Sequence, residues 1–317
     1  MPGAELVAEG WILPGLVDAH THPGAETPGQ PLDVAVLEED LRAHLNAGVT
    51  LIRAPGLAGD PPDWFGQADD NPRAFHAGPW IAQHGQFMPG WGVRPELAEL
   101  PIIAAEQAAR TGWAKVVIDW LPDDDVMPVE VLREAVDRVH AVGGRLAVHS
   151  QQAAGGSVAV AAGVDSVEHG MGLDLDLLPR MAEQGIALTP TLSVITASLA
   201  KIVADPERAR KSWYVHGASA HARLTAAAVE AGVVVLAGTD SRPHGGIAEE
   251  VRALVAAGVS PHQALAAASW SARSYLGLPG LVEGGPADAV VFEEDPRTDL
   301  DQLGAPQAVI VRGKRVR

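Results

Sequence analysis

The chain has 317 residues, 47% of them hydrophobic and only 4% aromatic, with a formal net charge of -17. That length holds two ordinary domains or one large α/β barrel. The acidic balance argues against a nucleic-acid surface, and the lack of cysteine excludes disulfides and Cys-ligated zinc.

Val- and Ile-rich runs short enough to be strands fall at 16–20, 49–54, 80–84, 114–119, 145–149, 166–169, 186–190 and 233–239. Segments of helical period lie between them at 33–47, 96–110, 128–142, 157–162, 175–184 and 221–231. Several of these stop at a glycine just before the next strand, as at Gly163 and Gly185. Residues 56–77, rich in Pro, Gly and Asp, read as loop with one short helix. The connection 191–231 is long, breaks at Asp205-Pro206, and reads as a lid over one rim. After amphipathic segments at 247–257 and 261–276, short strands are expected at 289–292, 308–311 and 314–317. Such strands do not fold alone, and residues 5–12 are their obvious partner. The predicted fold class is therefore α/β. A (β/α)8 TIM barrel over 14–279 carries a small terminal β-sheet, a rudimentary β-sandwich, built from 1–13 and 280–317. A doubly wound sheet of six or seven strands is the alternative.

In a parallel barrel the chemistry sits at the C-terminal strand ends. The first strand ends in Asp18-Ala19-His20-Thr21-His22, and in extended chain His20 and His22 face the same way, about 6.5–7 Å apart. Of 23 basic residues only Lys115, Lys201, Lys211 and Lys314 are lysines, so Lys115 inside an apolar strand needs its own explanation. His149, His169 and Asp240 end three further strands. Each residue alone reads as a hydrogen-bonded strand cap or a paired cation. Sharing one rim, they read as a metal site. Imidazole and carboxylate suit zinc, manganese, iron or cobalt, and four His with one Asp suit two ions better than one tetrahedral zinc. Two ions need a bridging anion. A buried lysine can take up CO2 as a carbamate, which is one option for Lys115.

At these positions the chain resembles the amidohydrolase superfamily, in its imidazolonepropionase-like and Xaa-Pro-dipeptidase-like branch with a carboxylated lysine. The motifs are Pro14-Gly15-Leu16-Val17-Asp18-Ala19-His20-Thr21-His22, the strand around Lys115, Ala147-Val148-His149-Ser150, Val167-Glu168-His169-Gly170 and Ala237-Gly238-Thr239-Asp240-Ser241. The tail Gly284-Gly285-Pro286-Ala287-Asp288-Ala289-Val290-Val291-Phe292 is similar to that family's closing strand. The resemblance implies two divalent metal ions, zinc first, with His20, His22 and Asp240 on one ion and His149 and His169 on the other. It further implies a CO2-derived carbamate on Lys115 as the bridge, a bridging hydroxide as nucleophile, and Asp240 as the catalytic proton shuttle.

The departures bear on substrate. Only residues 1–11 precede the first motif, where the family has several strands. Pro89-Gly90-Trp91-Gly92 places a tryptophan where a polar histidine is expected, and His149-Ser150-Gln151-Gln152 lacks a tyrosine used by relatives near the substrate. Substrate contacts are expected among Arg53, His84, Gln86, Trp91, Gln151, Arg242 and His244. The expected activity is hydrolysis of an amide bond in a dipeptide, N-acyl amino acid or cyclic amide. The same site acting on an ester, lactone or organophosphate bond is the alternative, and a non-catalytic scaffold paralogue a remote one. The expected partner is a small-molecule substrate, with a homo-oligomer left open. Neither nucleic acid nor a membrane is expected: no stretch approaches the ~20 apolar residues of a membrane helix, and no basic segment leads into an apolar core at the N-terminus, so a cytoplasmic location is expected.

Overall fold

The computed structural model describes residues 6–205 and 211–317. After β1 (Trp11–Pro14) the chain alternates strands and helices: β2 (Leu16–Asp18), α1 (Val34–Asn46), β3 (Val49–Ala54), β4 (Arg73–His76), β5 (Ile81–Ala82), α2 (Leu100–Thr111), β6 (Trp113–Val117), α3 (Val129–Ala141), β7 (Arg145–Ser150), α4 (Ala153–Ala162), β8 (Ser166–His169), α5 (Leu178–Gln184) and β9 (Ala187–Thr189). Helices α6 (Leu192–Ala204) and α7 (Lys211–Glu230) make up the long connection; the Pro206 side of its expected break lies outside the described residues. Then come α8 (Ile247–Ala256), α9 (Pro261–Ala267), α10 (Trp270–Tyr275), β10 (Ala289–Phe292), β11 (Ala308–Val311) and β12 (Lys314–Arg315). Among the described residues no helix is long and apolar enough to cross a membrane.

The strands β2-β3-β4 form one parallel sheet and β5-β6-β7-β8-β9 another. This is an α/β fold of the TIM-barrel type. Two expectations need correction. The third strand is split: β5 keeps only two residues of 80–84, and β4 falls inside the stretch read as loop with a short helix, where turns replace the helix. Arg73-Ala74-Phe75-His76 has no apolar run to announce a strand, and β3 supplies its pairing. The eighth expected strand, 233–239, has only an isolated bridge at Val235. Its backbone is nonetheless bonded on both sides. Leu236 N donates to Leu188 O and Leu188 N to Val234 O, while Ala19 N donates to Ala237 O and Asp240 N to His20 O. Gly238 permits this: a Cβ there would lie 2.5 Å from the His20 Cβ and 2.6 Å from Thr189 Cγ2.

Helix α1 shows how the outer layer is set. Asp33 caps it, accepting from the backbone N–H groups of Ala35 and Val36, an arrangement worth about 1 kcal/mol. Leu37, Leu41 and Leu45, spaced at i, i+4 and i+8, face the core, and Asp40 and His44 are buried beside them. The two chain ends meet in an antiparallel sheet of order β1-β10-β11-β12, with Trp11 opposite Phe292 and Pro14 opposite Ala289. Of the expected partner 5–12, Glu5 lies outside the described residues and the observed pairing begins at Trp11.

Candidate metal centre

The turn after β2, the strands β6, β7 and β8 and the 233–240 segment deliver His20, His22, Lys115, His149, His169 and Asp240 to one cavity of about 140 Å³. Strand β2 ends at Asp18, so His20 and His22 are not on regular strand. They converge all the same, with their Nε2 atoms 3.1 Å apart. Asp18 does not join them: it accepts from the N–H of His20, from Thr239 N and from Thr239 Oγ1, fixing the turn beneath.

The tautomers follow from the partners. His20 Nδ1 lies 2.7 Å from Glu168 Oε2 and His22 Nδ1 lies 2.7 Å from Gly56 O. Both partners only accept, so both Nδ1 atoms carry the proton and a neutral ring leaves Nε2 bare. Burial holds His22 well below the usual histidine range and hence neutral. The bare Nε2 of His22 thus lies 3.1 Å from His20 Nε2, with Asp240 Oδ1 3.3 Å from the first and 3.8 Å from the second. Lone pairs gathered in this way call for a cation between them. One ligand atom each from His20, His169 and Asp240 also falls within a 4.8 Å span. Beside them Lys115 Nζ and His149 Nε2 are buried without a hydrogen-bond partner. Burial pushes the Lys115 amine down to about 7, and depresses His149 and His169 well below their ordinary value. Neutral imidazoles, a bare amine and a carboxylate fit divalent metal.

The backbone is bent to make this arrangement. His169 (φ 66°), Asp240 (φ 47°) and Thr191 (φ 51°) all occupy the left-handed region without being glycine. Such conformations cost on the order of 1–3 kcal/mol each and persist where surrounding contacts impose them. Thr191 Oγ1 lies 2.9 Å from His169 Nδ1, joining the start of the α6–α7 connection to that histidine.

A profile of the amidohydrolase family matches residues 11–316. The chain belongs to the amidohydrolase family. An uncharacterised protein of Mycobacterium tuberculosis is 40% identical over 98% of this chain and 87% of its own length. Ochratoxinase of Aspergillus niger is 34% identical over 52% of this chain and 35% of its own. Among solved structures, a putative prolidase from Bifidobacterium longum superposes with a TM-score of 0.81 at 28% identity, covering 96% of this chain and 80% of that one. A Xaa-Pro dipeptidase with bound methionine superposes at 0.82 with 24% identity, over 96% and 86% of the two chains, a likeness of fold.

Of the residues expected to touch substrate, this amidohydrolase brings only Trp91 and Gln151 to the cavity lining. Arg53 is fully buried beneath it, donating to both Glu168 oxygens, Thr189 Oγ1 and Ala19 O. His84 is exposed beside Glu96. Gln86 donates to Asp125 O, and Arg242 donates to Asp40 and Ala25 O. His244 packs behind the site, between Thr21 Oγ1 at 3.0 Å and Asp40 at 3.4 Å. These five lie outside that lining, because position near a strand end does not say which way a long side chain turns. Residues missed from sequence are Glu168, Trp80, Phe87, Met88 and Trp120. Glu168 did leave a signal, a carboxylate inside the short strand Ser166–His169.

Proposed function

We propose that this amidohydrolase is a metal-dependent hydrolase cleaving the amide bond of a small molecule at a binuclear centre. His20, His22 and Asp240 would hold one divalent ion, most simply zinc, and His149 and His169 the other, with a carbamate on Lys115 between them. The observation that carries this reading is that Lys115 Nζ and His149 Nε2 lie buried without partners in one cavity with His20, His22, His169 and Asp240. When bound, the metals supply an acidified water and polarise the substrate carbonyl. Burial pushes the Lys115 amine down to about 7, so near neutral pH part of it is in the uncharged form that adds CO2. Asp240, whose carboxyl burial pushes up, accepts the water's proton and delivers it to the leaving nitrogen. Residues 14–279 would form the hydrolase unit. Residues 1–13 with 280–317 would form the small β-sandwich-like unit.

The test is metal content and chelation. The purified chain should bind about two zinc ions and lose hydrolysis of N-acyl amino acid or dipeptide probes with a chelator. Lys115→Ala should drop the content to about one ion and the rate by at least about 10²-fold. Two ions persisting in Lys115→Ala would rule out the bridge, and chelator-insensitive hydrolysis would rule out the metal mechanism.

A further inference from the structure

The cavity wall opposite the imidazoles is aromatic. Trp80 stacks on Trp91 with ring centroids 4.9 Å apart and planes 12° apart, and Phe87 lies 5.2 Å from Trp80 and 5.2 Å from Trp120. Met88 completes the lining. This wall abuts the candidate ligands directly, with Trp80 4.9 Å from the His22 ring and Trp120 5.0 Å from the His149 ring. In a chain that is only 4% aromatic, such a concentration at one cavity is out of proportion to the composition.

The wall is also preformed. Arg94 donates to the carbonyls of Gln86, Met88 and Trp91, so its guanidinium clamps the loop that carries Phe87, Met88 and Trp91. Trp91 Nε1 is anchored on Gln30 O at 2.6 Å and one face of its indole is held by the stacked Trp80, which fixes the ring in place. Rings held in advance bind a flat apolar group without an ordering cost.

What the lining lacks is a fork for a carboxylate. Among the described residues that line the cavity none is an arginine, and Lys115 stands among the metal-type ligands. The nearby guanidiniums of Arg53, Arg94 and Arg242 are already engaged with Glu168, loop carbonyls and Asp40. Hydrogen bonding is left to Gln151.

Resting on the amide-hydrolase reading above, we infer that the substrate is a neutral amide carrying one aromatic ring, seated against Trp80, Trp91, Phe87 and Trp120, with no free carboxylate required. Water adds its oxygen to the acyl carbon, the C–N bond breaks, and the leaving nitrogen takes a proton to give an acid and an amine, one of which carries the ring.

Three acetamides separate ring from charge: N-phenethylacetamide, N-butylacetamide and N-acetylphenylalanine. Tryptophan fluorescence of the full chain reads binding without turnover. N-phenethylacetamide should bind at least about tenfold more tightly than either of the others, a pocket-sized discrimination. Trp120→Leu, at a partly exposed position, should erase the preference over the butyl probe, and Trp91→Phe should keep most of it. Equal binding of the phenethyl and butyl probes, or tighter binding of N-acetylphenylalanine, would overturn the inference. If the preference holds but the zinc-loaded enzyme hydrolyses none of the three, the aromatic site stands and the amide-hydrolase reading fails.

Discussion

Glu168 Oε2 sits 2.7 Å from Nδ1 of His20, and the same carboxylate takes Arg53 Nη2 at 2.8 Å on each oxygen. One buried group therefore sets the tautomer of a candidate ligand and neutralises a fully buried guanidinium. Burial alone would raise the Glu168 carboxyl, but Arg53, Lys115 and His20 hold it well below the ordinary carboxylate range. Glu168→Gln keeps the shape and removes the charge, leaving Arg53 unpaired in the interior. Urea unfolding should show a loss of about 3–5 kcal/mol. Zinc affinity should fall about 10–100-fold, because the partner that orients His20 is weakened. An unchanged zinc affinity would reduce Glu168 to a structural counter-ion.

Gly56 ties the aromatic wall to the histidines. Its carbonyl accepts from His22 Nδ1, and a Cβ at this position would lie 2.2 Å from Nε1 and Cε2 of Trp80. Gly56→Ala must push the indole or the loop away, with an overpacking cost of about 1–3 kcal/mol. We expect lower thermal stability together with weakened zinc binding, measured by calorimetric titration. Loss of stability with zinc binding intact would show that the loop can move without His22.

Glu250 on α8 accepts from the backbone N–H groups of Leu192 at 2.9 Å and Ser193 at 2.8 Å, at the start of α6. Burial pushes its carboxyl up to about 7 despite these bonds, and Asp18 adds to the rise. The folded chain thus holds this proton more tightly than the unfolded chain does. Between pH about 4.5 and 7 the folded state binds more protons, so stability falls as pH rises through that window, by at most about 3 kcal/mol. Glu250→Gln should flatten that part of the stability–pH curve in chemical denaturation. A variant curve parallel to that of the wild type would show that Glu250 ionises normally.

Asp288 joins the terminal sheet to the barrel. It accepts from Arg73 Nε at 2.6 Å and from the Arg312 backbone at 2.9 Å, and lies 3.4 Å from Arg273 Nη1. Its carbonyl accepts from Gly15 N. Asp288→Ala strands the buried Arg273, and the unfolding free energy should drop by about 3–5 kcal/mol. A change below ~1 kcal/mol would mean that Arg273 keeps enough bonds through Gly15 O and Thr50.

Strand β3 falls where its Val- and Ile-bearing run places it, because so short a largely apolar run bounded by turn residues has few other solutions. Strand β4 was illegible, since Arg73-Ala74-Phe75-His76 becomes a strand only through its register with 51–54. The same division runs through the site. His20, His22, His149, His169 and Asp240 stood out as polar residues where apolar strands end and Lys115 as a lysine inside one, and all six line one cavity. Trp80, Phe87 and Trp120 could not be told from ordinary core aromatics, which follow the same apolar patterning.

The sequence by itself determined the βα rhythm, the terminal strands and the set of ligand-type side chains, because each is a local property of residue type and spacing. Only the tertiary structure decided what those side chains face. Glu168 meets His20 across 148 positions, and Arg53, expected from sequence among the substrate contacts, turns inward to meet Glu168 across 115. The reason is physical: a buried charge settles wherever packing offers an opposite charge, and that partner is chosen by the fold rather than by neighbours along the chain.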